Sequence, residues 1–478
     1  IEDVLAVNGQ NRVRQLSTAS TNGAQFLSRE LSNPDASFSV VNWDDDGFAD
    51  VLVVSDQLHS NANGNARVAG YVFDGQSFWG AEDLPSATAA SRLAMFTLPA
   101  TDVVTEARAL LNDGVGTGSV SSRAVASPRL SAIVAGDVDG DGREDVLIAD
   151  TGAITFPSAA GAGGEGSGST LLPNYGKVYL LSATSQGVQQ TVALGTASMA
   201  VVQGFGIGAS LAALGDLDRD GYDDFAVGRS FEGRKSGPTD PAEEGGLFVF
   251  GGRESFGARN AKLAPEDARI TVRRDVAANI PLGITYQGAL TATAGDFNAD
   301  GVADLAVGEA ARLTVSGGTT LDQSERGAVH VFFSVLQKGT RVALTSADST
   351  ITGQSEFDRL GVLPATPYID IDADGRSDLL LGAGGTDFVT ERLVPGAGKI
   401  YVAYGASTPP DLPAGDLIID LTNETVPGSG DYLIDDGSGR ATVFESLDID
   451  GDGVNDFVIQ RGQTERWYRF TTLGDGQT

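Results

Sequence analysis

The sequence predicts an all-β fold, a β-propeller of four-stranded antiparallel blades, on three observations. An Asp- and Gly-rich loop recurs six times, its starts 95, 79, 80, 74 and 78 residues apart. Each copy runs straight into a short apolar, β-branched stretch. A second strand signature, Gly followed by alternating apolar and aromatic residues, returns some 20 to 30 residues later. Self-similarity at a fixed period marks units that cannot bury both faces alone and must stack on one another.

The loops align over nine positions, with Asp or Asn at 1, 3, 5 and 9 and Gly at 6. Those four positions are Asn42, Asp44, Asp46 and Asp50 in the first loop, and Asp137, Asp139, Asp141 and Asp145 in the second. The third has Asp216, Asp218, Asp220 and Asp224; the fourth has Asp296, Asn298, Asp300 and Asp304. The fifth has Asp370, Asp372, Asp374 and Asp378; the sixth has Asp448, Asp450, Asp452 and Asp456.

The stretches that follow, such as Val51-Leu52-Val53-Val54 and Val146-Leu147-Ile148, are apolar without alternation, as in strands buried on both faces. The second signature opens at Gly176, Gly245, Gly327 and Gly398. A unit of this length holds four strands of about 5–6 residues with their turns, the size of a propeller blade. Residues 2–7 resemble a loop-exit strand, so the chain starts inside a further repeat. Seven blades is the reading, and six is the alternative, with the N-terminal strands closing the last blade. We expect one domain over residues 1–478. It has partial blades at 1–37 and 442–478 and repeats at 38–130, 131–209, 210–290, 291–364 and 365–441. Helical periodicity is almost absent, and its best candidate is residues 102–111.

Oxygen donors at alternate positions, with Gly permitting a sharp turn, is how a short backbone loop wraps Ca²⁺. The position-7 carbonyl of Phe48, Arg143, Tyr222, Val302, Arg376 or Val454 supplies a further ligand. All-oxygen ligation disfavours zinc and copper, and Mg²⁺ prefers to keep its waters. About six Ca²⁺ sites are expected. An EF-hand would need a bidentate Glu at position 12, where this chain has Val53, Ile148, Val227, Val307, Leu381 and Ile459. The position-9 acid must close the loop instead.

The 478 residues carry 64 acids against 32 Lys and Arg, a formal charge of −32 that makes nucleic acid or an anionic membrane surface a poor partner. Twenty-two of those acids sit at loop positions, and six bound Ca²⁺ would leave the charge near −20. No apolar run reaches the ~18 residues of a spanning helix. The absence of Cys rules out disulfides, thiolate zinc sites and a Cys nucleophile. The opening Ile1-Glu2-Asp3-Val4 has neither a start Met nor a basic leader, so a processed product or excised piece is expected.

Little here suggests catalysis. Of the two His, His330 takes the repeat position of Tyr179, Phe248 and Tyr401, as a packed aromatic substitute would, and His59 lies in a polar loop. No Gly-x-Ser-x-Gly elbow or phosphate-binding Gly loop with a following Lys is present. Trp43 aligns at position 2 with Val138, Leu217, Phe297, Ile371 and Ile449, which points to packing between blades. The chain is read as a non-enzyme.

One stretch carries more. Phe205-Gly206-Ile207-Gly208-Ala209-Ser210-Leu211 leads through Gly215 into the third loop and Phe225-Ala226-Val227-Gly228. This pattern resembles the FG-GAP repeats of the integrin α-subunit propeller and their bacterial relatives. Leu282-Gly283 and Leu360-Gly361 are approximate stand-ins for the Phe-Gly element. The resemblance implies metal loops on a lower face, joining the first two strands of each blade, and a ligand-binding upper face. Residues 55–67, 151–175, 229–244, 309–326 and 384–397 would lie on that upper face. It also implies a calcium-binding recognition or adhesion module, extracellular or on a bacterial surface, with a protein or glycan partner. The rivals are a scaffold built of neighbouring copies and a carbohydrate-binding or polysaccharide-active propeller.

Overall fold

The protein is described here from a computed structural model. It describes residues 2–7, 10–15, 37–44, 50–54, 66–74, 92–99, 125–127, 130–151, 153–156, 170–171, 175–183, 190–229, 231–233, 246–257, 259, 261–274, 285–287, 289–310, 313–316, 319–320, 326–335, 340–353, 359–365, 367, 370, 375–383, 386–387, 392–393, 399–403, 405, 417–420, 441–447, 456–461 and 464–466. The helix expected at 102–111 and the loops around His59 lie outside them.

The fold is all-β, as the repeat predicted. Successive stretches of chain each form an up-and-down antiparallel meander. Sheet A comprises Ser37–Val41, Asp50–Val54, Ala66–Phe73 and Arg92–Pro99. Sheet B comprises Leu130–Gly136, Asp145–Asp150, Tyr175–Ser182 and Ala200–Phe205. Sheet C comprises Ile207–Gly215, Asp224–Arg229, Leu247–Phe250 and Ile270–Arg273. Sheet D comprises Thr291–Gly295, Asp304–Glu309, Ala328–Phe332 and Ser349–Thr352. Sheet E comprises Leu360–Val362, Leu379–Ala383, Lys399–Ala403 and Leu417–Asp420. Sheet F has Ala441–Leu447, Asp456–Arg461 and Thr464–Arg466, and Glu2–Val7 pairs with Gln10–Gln15 as a separate hairpin. These four- and five-stranded sheets fit a β-propeller.

Two compact units are distinguished, one of residues 16–209 and 253–267, the other of 1–15, 210–252 and 268–478. In the first, Trp43 meets Phe96 edge-on at 5.5 Å inside a core shared by sheets A and B, with Leu52, Ile148 and Tyr179. In the second, one cluster joins Leu217, Val249, Leu305 and Phe332, and another joins Phe297, Val331, Leu379 and Leu381. The second strands are buried on both faces: every residue of Asp145–Asp150 and Asp224–Arg229 is inside. That is why their sequence does not alternate.

The expected four-stranded blade is exceeded in three sheets by a fifth strand, which runs parallel. Gln190–Ala193 lies beside Arg92–Pro99 in sheet A, Ala261–Leu263 beside Ala200–Phe205 in sheet B, and Arg341–Ala343 beside Ile270–Arg273 in sheet C. Each comes from the chain that links strands 3 and 4 of the following repeat, and each leads into one helical turn, at Leu194–Ala197, Pro265–Asp267 or Leu344–Ser346. The fourth strand would otherwise present an unpaired edge, and the added strand covers it.

The Gly that opens the third strand has a packing cause. A Cβ on Gly176 would overlap the carbonyl oxygen of Ile207, where the next repeat's first strand passes. Gly176→Ala must push backbone apart there, and we expect a loss of about 3 kcal/mol or more in a urea melt. A loss within ~0.5 kcal/mol would show that the two strands are not held this close.

Candidate metal centres

The acidic loops join the first and second strands of their sheets, as the resemblance implied. Hydrogen bonds internal to the loop shape the second to fifth copies. The position-1 carboxylate accepts the Gly N–H of position 6: Gly142 to Asp137 at 2.9 Å, Gly221 to Asp216 at 2.9 Å, Gly301 to Asp296 at 2.8 Å and Gly375 to Asp370 at 3.0 Å. Position 3 accepts from the N–H of position 5, Asp141 to Asp139 at 3.2 Å, Asp220 to Asp218 at 3.0 Å and Asp300 to Asn298 at 2.8 Å. Position 5 accepts from that of position 7, in Arg143, Tyr222 and Val302. The chain can wind this tightly because position 6 adopts φ of +85° at Gly142, +91° at Gly221, +78° at Gly301 and +84° at Gly375.

Sequence reasoning missed a second left-handed position. Position 4 has φ of +75° at Gly140, +62° at Arg219 and +58° at Ala299. Gly140 and Gly451 were the available signal, but the Arg and Ala of other copies hid it.

Position 9 is the root of the loop. Asp50, Asp145, Asp224, Asp304 and Asp378 are all buried. One oxygen accepts the N–H of position 2, from Trp43 at 2.9 Å, Val138 at 2.8 Å, Leu217 at 3.1 Å and Phe297 at 3.2 Å. The other reaches the exit of the third strand, accepting from Gly252 in the Asp224 copy, Ser334 in the Asp304 copy and Gly405 in the Asp378 copy. In the second loop Oδ1 of Asp145 is buried and takes no hydrogen bond among the described residues.

Consecutive loops also touch. The position-1 N–H is held by position 8 of the next loop, Asn42 donating to Glu144 at 2.7 Å and Asp296 to the Ser377 hydroxyl at 3.1 Å.

The structure brings together Asp137, Asp139 and Asp145, and separately Asp216, Asp218 and Asp220, with one carboxylate oxygen of each within 4.8 Å of the others. These two clusters could hold a metal ion, through positions 1, 3 and 9 in one and 1, 3 and 5 in the other. In the third loop position 9 is instead fully engaged by backbone. Asp296, Asn298, Asp300, Val302 and Asp304 form the same loop without such a grouping among the described residues. Of the first loop Asn42, Asp44 and Asp50 are described, and of the fifth Asp370, Arg376 and Asp378. Asp46, Phe48, Asp372, Asp374, Asp448, Asp450, Asp452 and Val454 lie outside the described residues, and Asp456 opens the second strand of sheet F.

Crowding carboxylates in a protein interior favours their neutral form. Burial, then Asp139, pushes Asp145 up to about 8, while burial raises Asp224 and Asp304 to about 7. Asp139 is raised by burial and then by Asp141. An all-oxygen pocket with an orphaned buried carboxylate oxygen and protons held above their usual range fits a hard divalent cation, which would replace those protons.

Without a cation, the folded chain binds more protons than the unfolded chain between the usual carboxyl value near 3.8 and about 7 to 8. Stability therefore falls as pH rises through that window. Melts in EDTA should show a higher Tm at pH 5 than at pH 8.5, reflecting a stability difference on the order of a few kcal/mol. A Tm that rises with pH would contradict this assignment of the buried acids.

The His330 expectation holds in register but not in packing. His330 pairs with Val307, as Tyr179 does with Ile148 and Phe248 with Val227. Yet it is only half-buried, with Nδ1 3.3 Å from the Thr350 hydroxyl and Nε2 3.8 Å from Glu309. Its neighbours are polar because Glu309 there also binds Arg274, at 2.6 Å.

The FG-GAP repeat family model matches residues 208–250. That span runs from the first strand of sheet C through the third acidic loop to the end of the third strand. Among the described residues no helix is long and apolar enough to cross a membrane. The segment that builds the third acidic loop is thus an FG-GAP repeat, and the chain is consistent with an FG-GAP, integrin-like protein.

Proposed function

We propose that this chain is a calcium-stabilised propeller that serves as an extracellular recognition or adhesion module, with Ca²⁺ in its acidic loops and no catalytic role. The observation that carries this reading is the recurrence of one all-oxygen loop at one junction, between strands 1 and 2 of successive sheets. Repeated staples at one end of a stack of blades suit a protein without Cys. Extracellular calcium modules can bind at 10⁻⁴–10⁻³ M and still be loaded outside a cell. Seven blades remains our reading, with six as the alternative.

The recognition surface would be the opposite end of the strands. Connections after strands 2 and 4 emerge there, and they pair with one another. Phe231–Gly233, Thr285–Gln287, Leu313–Ser316 and Thr319–Thr320 form one accessory four-stranded sheet. Val125–Ser127, Ala153–Phe156 and Thr170–Leu171 form a second. Loops cross-braced in this way offer a fixed backbone for a protein or glycan ligand. Neighbouring copies in a surface assembly are the alternative partner.

Thermal melts with an ion count, in millimolar Ca²⁺ and in EDTA, test this reading. Five or six ions per chain and a large upward Tm shift are expected. Asp220→Ala should remove one ion and leave the others bound. No ions and no shift would reduce the loops to polar turns and remove the functional argument.

A further inference from the structure

The link between strands 3 and 4 returns to the same end of the sheet as the acidic loop, and in the third repeat one of its residues contacts that loop. Strand register identifies this residue in three repeats. Leu180 pairs with Ala200, Val249 with Ile270 and Val331 with Ser349. The residue just before each partner donates its N–H to the same third-strand carbonyl: Met199 to Leu180, Arg269 to Val249 and Asp348 to Val331, at 2.8, 2.8 and 2.9 Å. Met199, Arg269 and Asp348 are therefore equivalent, and one is apolar, one cationic and one anionic.

The cationic one is paired with its loop. The Arg269 guanidinium makes an ion pair with Asp218, position 3 of the third loop, whose side chain is 3% exposed. It passes Gly251, where a Cβ would make ordinary contacts of 3.6 Å with Nη1 of Arg269 and Oδ1 of Asp224. In sheet B the residue equivalent to Gly251 is Ser182, a neutral side chain whose hydroxyl donates to the Ala183 carbonyl at 3.2 Å. In sheet D, Asp348 accepts from the N–H of Phe333 at 2.8 Å, next to Ser334, which donates to Asp304 at 2.8 Å. The loop beneath has Asn298 where its neighbours have an acid. The acid missing at position 3 is offset by one on the strand 3–4 link.

We propose that Arg269 is a tethered counter-cation of the third loop, and that the residue at its position grades the calcium affinity of the loops. This rests on the calcium reading above. A guanidinium held against Asp218 satisfies part of the cluster's charge without metal, and an incoming Ca²⁺ must share that carboxylate with a like charge. The third loop is then the weakest of the three for Ca²⁺ and the one that best keeps its shape without it. The second loop, which has four acids and the apolar Met199 at the equivalent position, is the strongest.

The test compares the full chain with Arg269→Met, which keeps an apolar stem as at Met199, and with the reciprocal Met199→Arg. Each is titrated with Ca²⁺ against a chelator. Terbium emission sensitised by Tyr222, at position 7 of the third loop, and lost in Tyr222→Phe, isolates that site. We expect Arg269→Met to tighten the Tyr222-reported site at least tenfold and to lower the Tm in EDTA. Met199→Arg should loosen one site by a similar factor. Superimposable titrations of the parent and Arg269→Met, with ions bound to both, would overturn the role of Arg269 and leave the calcium reading standing. Absence of bound ions in every variant would overturn both. If Arg269→Met does not fold, an unchanged affinity in Met199→Arg overturns the grading.

Discussion

Five of the repeats turn on a buried carboxylate at the ninth loop position, Asp50, Asp145, Asp224, Asp304 and Asp378. Asp224 and Asp304 each tie three pieces of one sheet together: the start of the loop through the position-2 N–H, their own second strand, and the exit of the third strand. Such an acid is costly to bury, and it persists because backbone N–H groups and neighbouring charges settle its state. The burial that raises its proton affinity would equally favour a cation beside it.

The rest of the repeat follows from that anchor. Once the first two strands are fixed, the second is enclosed on both faces, so its neighbours must come from adjacent repeats. The covering fifth strands do this at the outer edge, and the glycine at the head of the third strand does it where the next repeat enters. Cohesion between repeats thus uses backbone pairing and close approach as well as apolar burial. Hydrogen bonds from position 1 of one loop to position 8 of the next add a polar link in the same direction.

Much of this was legible in the chain. The second strands announced themselves because burial on both faces removes alternation, and the loops because oxygen donors need alternate positions. Trp43 was read correctly from its alignment with Val138 and Leu217, since position 2 is always buried in the described copies. The parallel fifth strands were not legible. Gln190–Ala193 and Ala261–Leu263 are short and only partly buried, and their pairing partners lie in the preceding repeat. The accessory sheets were hidden for a similar reason: their strands are two to four residues long and sit inside Gly- and Ser-rich connections. His330 kept its register but found polar company, because Glu309 at the end of the second strand has no repeat-wide equivalent.

The two ends of the sheets therefore divide the work along lines the chemistry imposes. At one end, loops with the same pattern of oxygen donors recur from copy to copy, and the strand 3–4 links beside them vary, as at Met199, Arg269 and Asp348. At the other end the connections differ in length and sequence, and several are steadied by pairing with one another. A surface meant to discriminate must vary, and a scaffold meant to carry it must not. Placing the repeated polar loops at one end and the variable connections at the other lets the latter diverge without disturbing the acids that hold each sheet.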